Sequence, residues 1–206
     1  YQAMLNCHGN FEVLSPDHVR EEMRRIIGAL GALYDHNVQK VIFLDFDGVM
    51  NTERYIAERR RNGLPVSDRY GYLFDPEAVE NLRRIIDATG AAVVISSSWR
   101  LEGEERMEAM WYERTLPGQL IGITGQSPHA NFPMSAGETA GAAKGEEIRG
   151  WLKEHASRPY RYVIFDDEAG IRSEQRPHFI QTDSRIGITR TDAERAIQIL
   201  NSEDHD

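Results

Sequence analysis

The sequence predicts an α/β fold, a parallel sheet with helices on both faces and a small flap after the first strand. Three observations carry this. Short continuous apolar runs recur along the chain, as strands buried on both faces require. Segments with helical periodicity fill most of the gaps between them, and no tight hairpin signal joins one run to the next. Polar residues then cluster just after several of the runs, where ligands bind in such sheets.

The apolar runs are VIFL (41–44), AAVVIS (91–96), the weaker QLIGIT (119–124), RYVIF (161–165) and HFIQT (178–182). Ser15-Pro16 opens a first helix, with Ser as N-cap and Pro at the first helical position, and Val19, Met23, Ile26, Ile27 and Leu30 among its apolar positions. Asp75-Pro76 opens another, with Val79, Leu82, Ile85 and Ile86 on one face. Residues 103–116 are helical by composition. Lys144 to His155 places Ile148, Trp151, Leu152 and His155 at helical spacing, and His155 reads as a half-buried structural histidine. Thr191 and Glu194 predict a capping box for the last helix. The domain organisation expected is an N-terminal extension with a helix over 1–39, and one catalytic domain over 40–206 with its flap at about 50–75.

Bulk properties narrow the function classes. The 206 residues are 40% hydrophobic and 28% charged, ordinary for a globular chain with one sizeable core. No apolar run approaches the roughly 20 residues of a membrane span, and no charged-then-apolar leader is seen. The single cysteine, Cys7, has no internal partner, which fits a reducing cytoplasm. It has no charge cluster around it that would make it a reactive thiol. A net charge of -9 argues against an extended nucleic-acid-binding face but leaves room for a nucleic-acid end in a local pocket.

The polar strand ends carry the chemistry. Asp45 and Asp47 follow the first run, Ser96, Ser97, Ser98 and Arg100 the second, and Asp166 and Asp167 the fourth; Lys144 lies near a helix start after a loop rich in Gly and Ala. Concentrated carboxylates suit Mg²⁺, a hard cation with oxygen ligands, whereas zinc would call for a His or Cys cluster. An aspartate can act as nucleophile and form an aspartyl-phosphate. A second carboxylic acid can protonate the leaving oxygen and later activate water. Asp45 and Asp47, as i and i+2 of an extended segment, point the same way and could serve one phosphorus. A hydroxyl and a lysine would bind the remaining phosphoryl oxygens.

These motifs resemble those of the haloacid dehalogenase (HAD) superfamily of phosphohydrolases. VIFLDFDGV, VVISSSWR, AAKGEEIRGWL and YVIFDDE match its four motifs in order over residues 41 to 167. An isolated DxDG is usually a turn or a calcium-type loop, but three ordered companions make the match specific. The stretches FLDFDGVMNT, SSSWR, KGEEIRGWL, FDDE and QTDSRIGIT are further similar to small bacterial and viral HAD proteins, including the HAD domain associated with RNA-repair proteins. The resemblance implies a Rossmann-like sheet and Mg²⁺. It implies that Asp45 is nucleophile and metal ligand, and that Asp47 is general acid/base with its backbone carbonyl on the metal. Ser97 is the phosphate-binding hydroxyl, with Ser96 the choice if the strand ends one residue earlier. Lys144 contacts the phosphoryl group, Asp167 binds metal, and Asp166 orients Lys144, though these two acids could trade roles. Gly48 and Ser98 would complete the phosphate site, with Arg100 a substrate contact just beyond it. One departure is Ile171, where many members carry a further acid; the adjacent pair Asp166-Asp167 needs none, and Glu168 is the nearest spare carboxylate.

Neither Met50–Asp75 nor Gly125–Ala143 is long enough for a full cap domain, so the resemblance points to a nearly capless enzyme with an open site. The flap carries Arg54, Tyr55, Arg59, Arg60, Arg61, Arg69, Tyr70 and Tyr72. This mixture suits a phosphate with a base or sugar, and equally a solvated helix with charge pairs. The expected partner is a phosphorylated substrate: a nucleotide, a nucleic-acid end or a small molecule such as a sugar or cofactor phosphate. A non-catalytic phosphate-binding module on the same fold is the alternative from another class, and the intact Asp45, Asp47, Lys144 and Asp167 oppose it. Dehalogenation is disfavoured because it would not need Asp47.

Overall fold

A computed structural model of the chain describes residues 38–125, 141–155 and 159–202. The helix expected from Ser15-Pro16, Cys7 and most of the loop 125–143 lie outside the described residues. A compact unit runs over Gln39–Asp206. Its strands are β1 (Gln39–Leu44), β2 (Ser67–Asp68), β3 (Gly71–Tyr72), β4 (Ala92–Ile95), β5 (Leu120–Ile123), β6 (Tyr160–Asp166) and β7 (Phe179–Gln181). Its helices are α1 (Glu53–Arg61), α2 (Pro76–Thr89), α3 (Glu104–Glu113), α4 (Gly141–His155) and α5 (Arg190–Asn201). Among the described residues, no helix is long and apolar enough to cross a membrane.

Five strands form one sheet in the order β5-β4-β1-β6-β7, and every pairing in it is parallel. All five apolar runs of the sequence became these strands. The chain moves outward from β1 to β4 and β5, then crosses back to β6 and β7. The order therefore reverses between β1 and β6, and the carboxyl ends of these two strands flank the crevice where such sheets bind ligands.

Side-chain alternation in β1 divides the core. Ile42, Leu44 and then Phe46 face a layer that includes Ala78, Leu82 and Ile85 of α2, Met107 and Met110 of α3, and Ala193, Ala196 and Leu200 of α5. Val41 and Phe43 face the other side, with Ile148, Trp151 and Leu152 of α4. Phe43 meets Trp151 edge to face at 5.5 Å. Both faces of β1 are thus dry, which is why its sequence is a continuous apolar run rather than an alternating one.

Helix ends follow the sequence with differences at α3, which stops at Glu113 rather than at 116, and at α4 and α5. Asp75 caps α2 by accepting from the Glu77 backbone N–H at 3.0 Å, with Pro76 at the first helical position, as read. The capping box of α5 lies two residues before the Thr191–Glu194 pair. Thr189 Oγ1 accepts from the Asp192 backbone N–H at 3.2 Å, and Asp192 accepts from the Thr189 backbone N–H at 2.9 Å. Ile188 sets this register: it is fully buried, donates its N–H to the Val49 carbonyl at 3.1 Å, and its own carbonyl accepts from Asn81 at 2.9 Å. The helix must start directly after that anchor. Likewise α4 begins at Gly141 rather than Lys144, since Ala142 and Ala143 continue the helix readily; Lys144 still falls in the first turn.

The flap is α1 and the β2–β3 hairpin. Its two ends are pinned together, because Asp75 also accepts from Thr52 Oγ1 at 2.7 Å and its N–H reaches the Met50 carbonyl at 2.7 Å. Helix α1 buries no residue. The hairpin is held by Arg114, whose guanidinium forks onto both carboxylate oxygens of Asp68 at 2.7 and 3.0 Å and lies over the Phe74 ring at 4.5 Å. Burial pushes the Asp68 carboxyl up, but the Arg114 hydrogen bond with the nearby backbone donors outweighs it and holds the pKa below its ordinary 3.8. A depressed carboxyl adds stability above its unfolded pKa and loses it as the pH falls through the folded value. Asp68→Asn is therefore expected to lower Tm at about pH 7 by a few degrees. The gap to the natural protein should close on acidification through the carboxylate range, which a pH series of thermal melts measures.

Candidate active site

The sequence delivers acids to the crevice from two adjacent strands. Residue Asp45 extends β1, its N–H still bonded to the Phe165 carbonyl at 3.1 Å, and Asp166 ends β6. Oxygens of Asp45, Asp166 and Asp167 lie within 4.8 Å of one another. Asp45 and Asp166 are buried and Asp167 half-buried. Burial pushes the Asp45 carboxyl up to about 6, with Asp166 adding to the rise and Lys144 opposing it. Asp167 is likewise raised, by burial first and then by Asp166.

Lys144 supplies the balancing charge. It pairs with Asp166 and lies 3.5 Å from Asp45 Oδ2. Burial works against its charge, but Asp45 and Asp166 outweigh that and hold its pKa above the ordinary lysine value. Helix α4 is tied to the chain beyond β6 through Gln175, which donates to the Gly145 carbonyl at 2.9 Å. That bond anchors the first turn beside the β6 strand end.

Gly48 makes the acids fit. It has φ +71°, and a Cβ there would sit 2.4 Å from Asp167 Oδ2. Only glycine allows both this turn and the approach of the Asp167 carboxylate. The fifth sheet strand completes the lock: Thr182 Oγ1 donates to the Gly48 carbonyl and Gln181 donates to the Asp167 carbonyl, each at 2.9 Å.

The two serines after β4 separate cleanly. Ser97 is buried, its hydroxyl accepts from the Trp99 backbone N–H at 3.5 Å, and it helps to lower the pKa of the neighbouring Asp45 carboxyl. Ser96 Oγ is also buried and finds no partner among the described residues. The hydroxyl brought to Asp45 is that of Ser97, while Ser98 is exposed. Asp47 is exposed as well, and its carboxylate stands apart from the three-acid cluster. It accepts from Asn51 Nδ2 at 2.8 Å and from the Trp99 indole N–H at 3.0 Å. Between the two acids, Phe46 is fully buried and packs edge-on to Trp99 at 5.4 Å.

Arg100 differs from its expected place on a substrate. Its Nη2 pairs with Glu147 at 2.6 Å, with side chains 10% and 6% exposed, and its Nη1 donates to the Ser96 and Ser97 carbonyls at 3.2 and 2.8 Å. Glu147 lies one turn beyond Lys144, so the pair braces the Ser97 strand end against α4. The basic flap is also largely engaged within the protein. Arg54 pairs with Asp75 and Glu77, Arg59 bonds Tyr55, and Arg69 pairs with Glu113. His155 is exposed rather than half-buried, and it packs from outside, stacking on Trp151 at 4.5 Å with Nδ1 at the Trp151 carbonyl. Ile171 packs against the α4 side of the core, and Glu168 stays outside the acid cluster.

A family model described as the HAD domain in Swiss Army Knife RNA repair proteins matches residues 41–193. The chain belongs to this family. Its fold is accordingly the Rossmann-like HAD fold, and the family places it with the HAD-type hydrolases. A haloacid dehalogenase-like hydrolase from Streptococcus pneumoniae is similar in structure, at 14% identity over 77% of this chain and 90% of that one, with a TM-score of 0.42. No curated protein matches the chain.

Sequence reading passed over three residues of this HAD site: Asn51, Glu147 and Thr182. The first had a legible signal, an Asx residue four positions after Asp47 at the end of the DGVMNT turn. Glu147 and Thr182 had none, because each acts across the sheet on a residue distant in sequence. The buried pair gives a direct test. Arg100→Ala should cost about 3 kcal/mol of stability, the order expected on removing one member of a buried ion pair. Urea unfolding measures this, and a loss within a few tenths of a kcal/mol would contradict the bracing role.

Proposed function

We propose that the protein is a Mg²⁺-dependent phosphomonoester hydrolase working through an aspartyl-phosphate on Asp45. The observation that carries the reading is the convergence of Asp45, Ser97, Lys144 and the Asp166–Asp167 pair on one crevice. The donor set fits Mg²⁺: three carboxylates without His or Cys, two of them with raised pKa from burial and crowding. Asp45 and Asp167 would hold the ion, with the backbone carbonyl of Asp47. When bound, Mg²⁺ offsets the carboxylate charge and polarises a phosphoryl oxygen.

The protein's own groups divide the work. A carboxylate oxygen of Asp45 attacks phosphorus as the bond to the leaving oxygen breaks, and the leaving oxygen takes its proton from Asp47. Water then attacks the same phosphorus, Asp47 takes the water proton, and the Asp45–phosphorus bond breaks to release phosphate. Ser97 and Lys144 bind the phosphoryl oxygens and stabilise their spread charge. Asp166, closest to the Lys144 ammonium, holds it in place and could exchange roles with Asp167. Gly48 and Ser98 border the site.

The substrate reading is a nucleotide or a polynucleotide end. The RNA-repair description of the matched family supports it, as does the flap, which is too short to be a full cap domain. Sugar and cofactor phosphates are the competing class.

Asp45→Asn should lower hydrolysis of an aryl phosphate below about a thousandth of the natural rate, and EDTA should do the same reversibly. Activity surviving either change removes the mechanism. Mg²⁺ at about ten times its Kd should raise Tm by a few degrees. Asp167→Asn should abolish that shift in a thermal melt. A panel of 3′- and 5′-phosphorylated oligonucleotides, nucleotides and sugar phosphates ranks the substrates by kcat/KM. A wide margin for sugar phosphates would overturn the polynucleotide reading.

A further inference from the structure

We infer that Trp99 is a positioning residue for the proton step, and that the flap hairpin holds it in place. The inference rests on the phosphohydrolase reading above. Asp47 is exposed, and an exposed carboxylate on a short stem is free to rotate. Here both of its oxygens are held, Oδ1 by Asn51 at 2.8 Å and Oδ2 by the Trp99 indole N–H at 3.0 Å. A carboxylate offers about four lone-pair sites, so two donors fix its plane and still leave sites for the proton and the leaving oxygen.

The half-buried indole is itself held by its neighbours. It packs edge-on to Phe46 at 5.4 Å and against Phe74 at 5.9 Å, and the Arg114 guanidinium lies 5.7 Å from its centre. Gly71 of the hairpin closes over it. With φ +125°, Gly71 has a backbone that side chains rarely adopt, and a Cβ there would lie 2.6 Å from Trp99 Cη2. Arg114 ties these parts together, since it also grips Asp68 and donates to the Gly71 carbonyl at 3.3 Å. The hairpin thus presses on the ring whose N–H aims Asp47.

The same short turn serves both catalytic acids. Ser97 opens the turn Ser98–Glu102 beside Asp45, while Trp99, two residues on, bonds Asp47. The SSSW segment therefore sets the phosphate hydroxyl and the orientation of the acid/base as one unit. Packing alone would not require the indole nitrogen; Phe would fill most of the same space.

The test compares two esters by kcat/KM, which covers events through aspartyl-phosphate formation. An aryl phosphate with a nitrophenolate leaving group needs little protonation, and an alkyl phosphate needs a proton on its leaving oxygen. Trp99→Phe keeps the ring and removes the N–H. It should lower kcat/KM for the alkyl ester by about 10-fold or more, and for the aryl ester by less than about 3-fold. Gly71→Ala keeps the N–H but displaces the ring, and should give the same selective loss. Equal losses on both esters, or no loss on either, overturn the inference while leaving the phosphatase reading intact. If Trp99→Phe fails to fold, Gly71→Ala decides by the same criterion. A natural protein inactive on both esters overturns the phosphatase reading, and this inference falls with it.

Discussion

The arrangement depends on holding like charges together. Asp45, Asp166 and Asp167 meet at the ends of two adjacent parallel strands, close enough for their oxygens to share one small volume. Burial first, and then repulsion from Asp166, pushes the Asp45 and Asp167 carboxyls toward their neutral forms. The sheet keeps them there because β1 and β6 pair in register along their whole shared length, burying large apolar side chains on both faces. Lys144 offsets part of the charge from the first turn of α4. Such a cluster is costly to keep, and the proposed Mg²⁺ is a cation whose charge would offset it.

Around this cluster the structure invests in position. Gly48 lets Asp167 approach the first turn, and Thr182 and Gln181 pin the backbone on both sides of that contact. The Arg100–Glu147 pair joins the Ser97 strand end to the helix of Lys144. The flap, closed on itself at Asp75, reaches the site through the contact of Gly71 with Trp99. Each brace links a group of the candidate site on one element to a support on another, which is how groups from separate strands keep a common geometry.

Much of this was legible in the sequence, and the exceptions have physical causes. VIFL and RYVIF read as buried strands because both faces of the sheet are covered, and the acids after them read as a site because strand ends gather at one rim. Asp75-Pro76 stated its helix start locally. The α5 cap was misplaced because two Thr–acid pairs of the same kind occur in succession, and the choice between them is made by Ile188 in the core. Arg100 looked like a free cation beside a phosphate site, since its partner Glu147 is brought near only by the fold. The role of Trp99 toward Asp47 shares that cause, since a hydrogen bond across the fold leaves no periodic mark, whereas Asn51 reaches Asp47 within one local turn.

The central claim is that Asp45 takes the phosphoryl group before water does. It is tested most directly by the stereochemical course at phosphorus, using a phosphate ester made chiral with oxygen isotopes. Two in-line displacements, first by Asp45 and then by water, predict retention of configuration in the released phosphate. Inversion would mean that water attacks the substrate in a single step, and it would contradict Asp45 as the nucleophile.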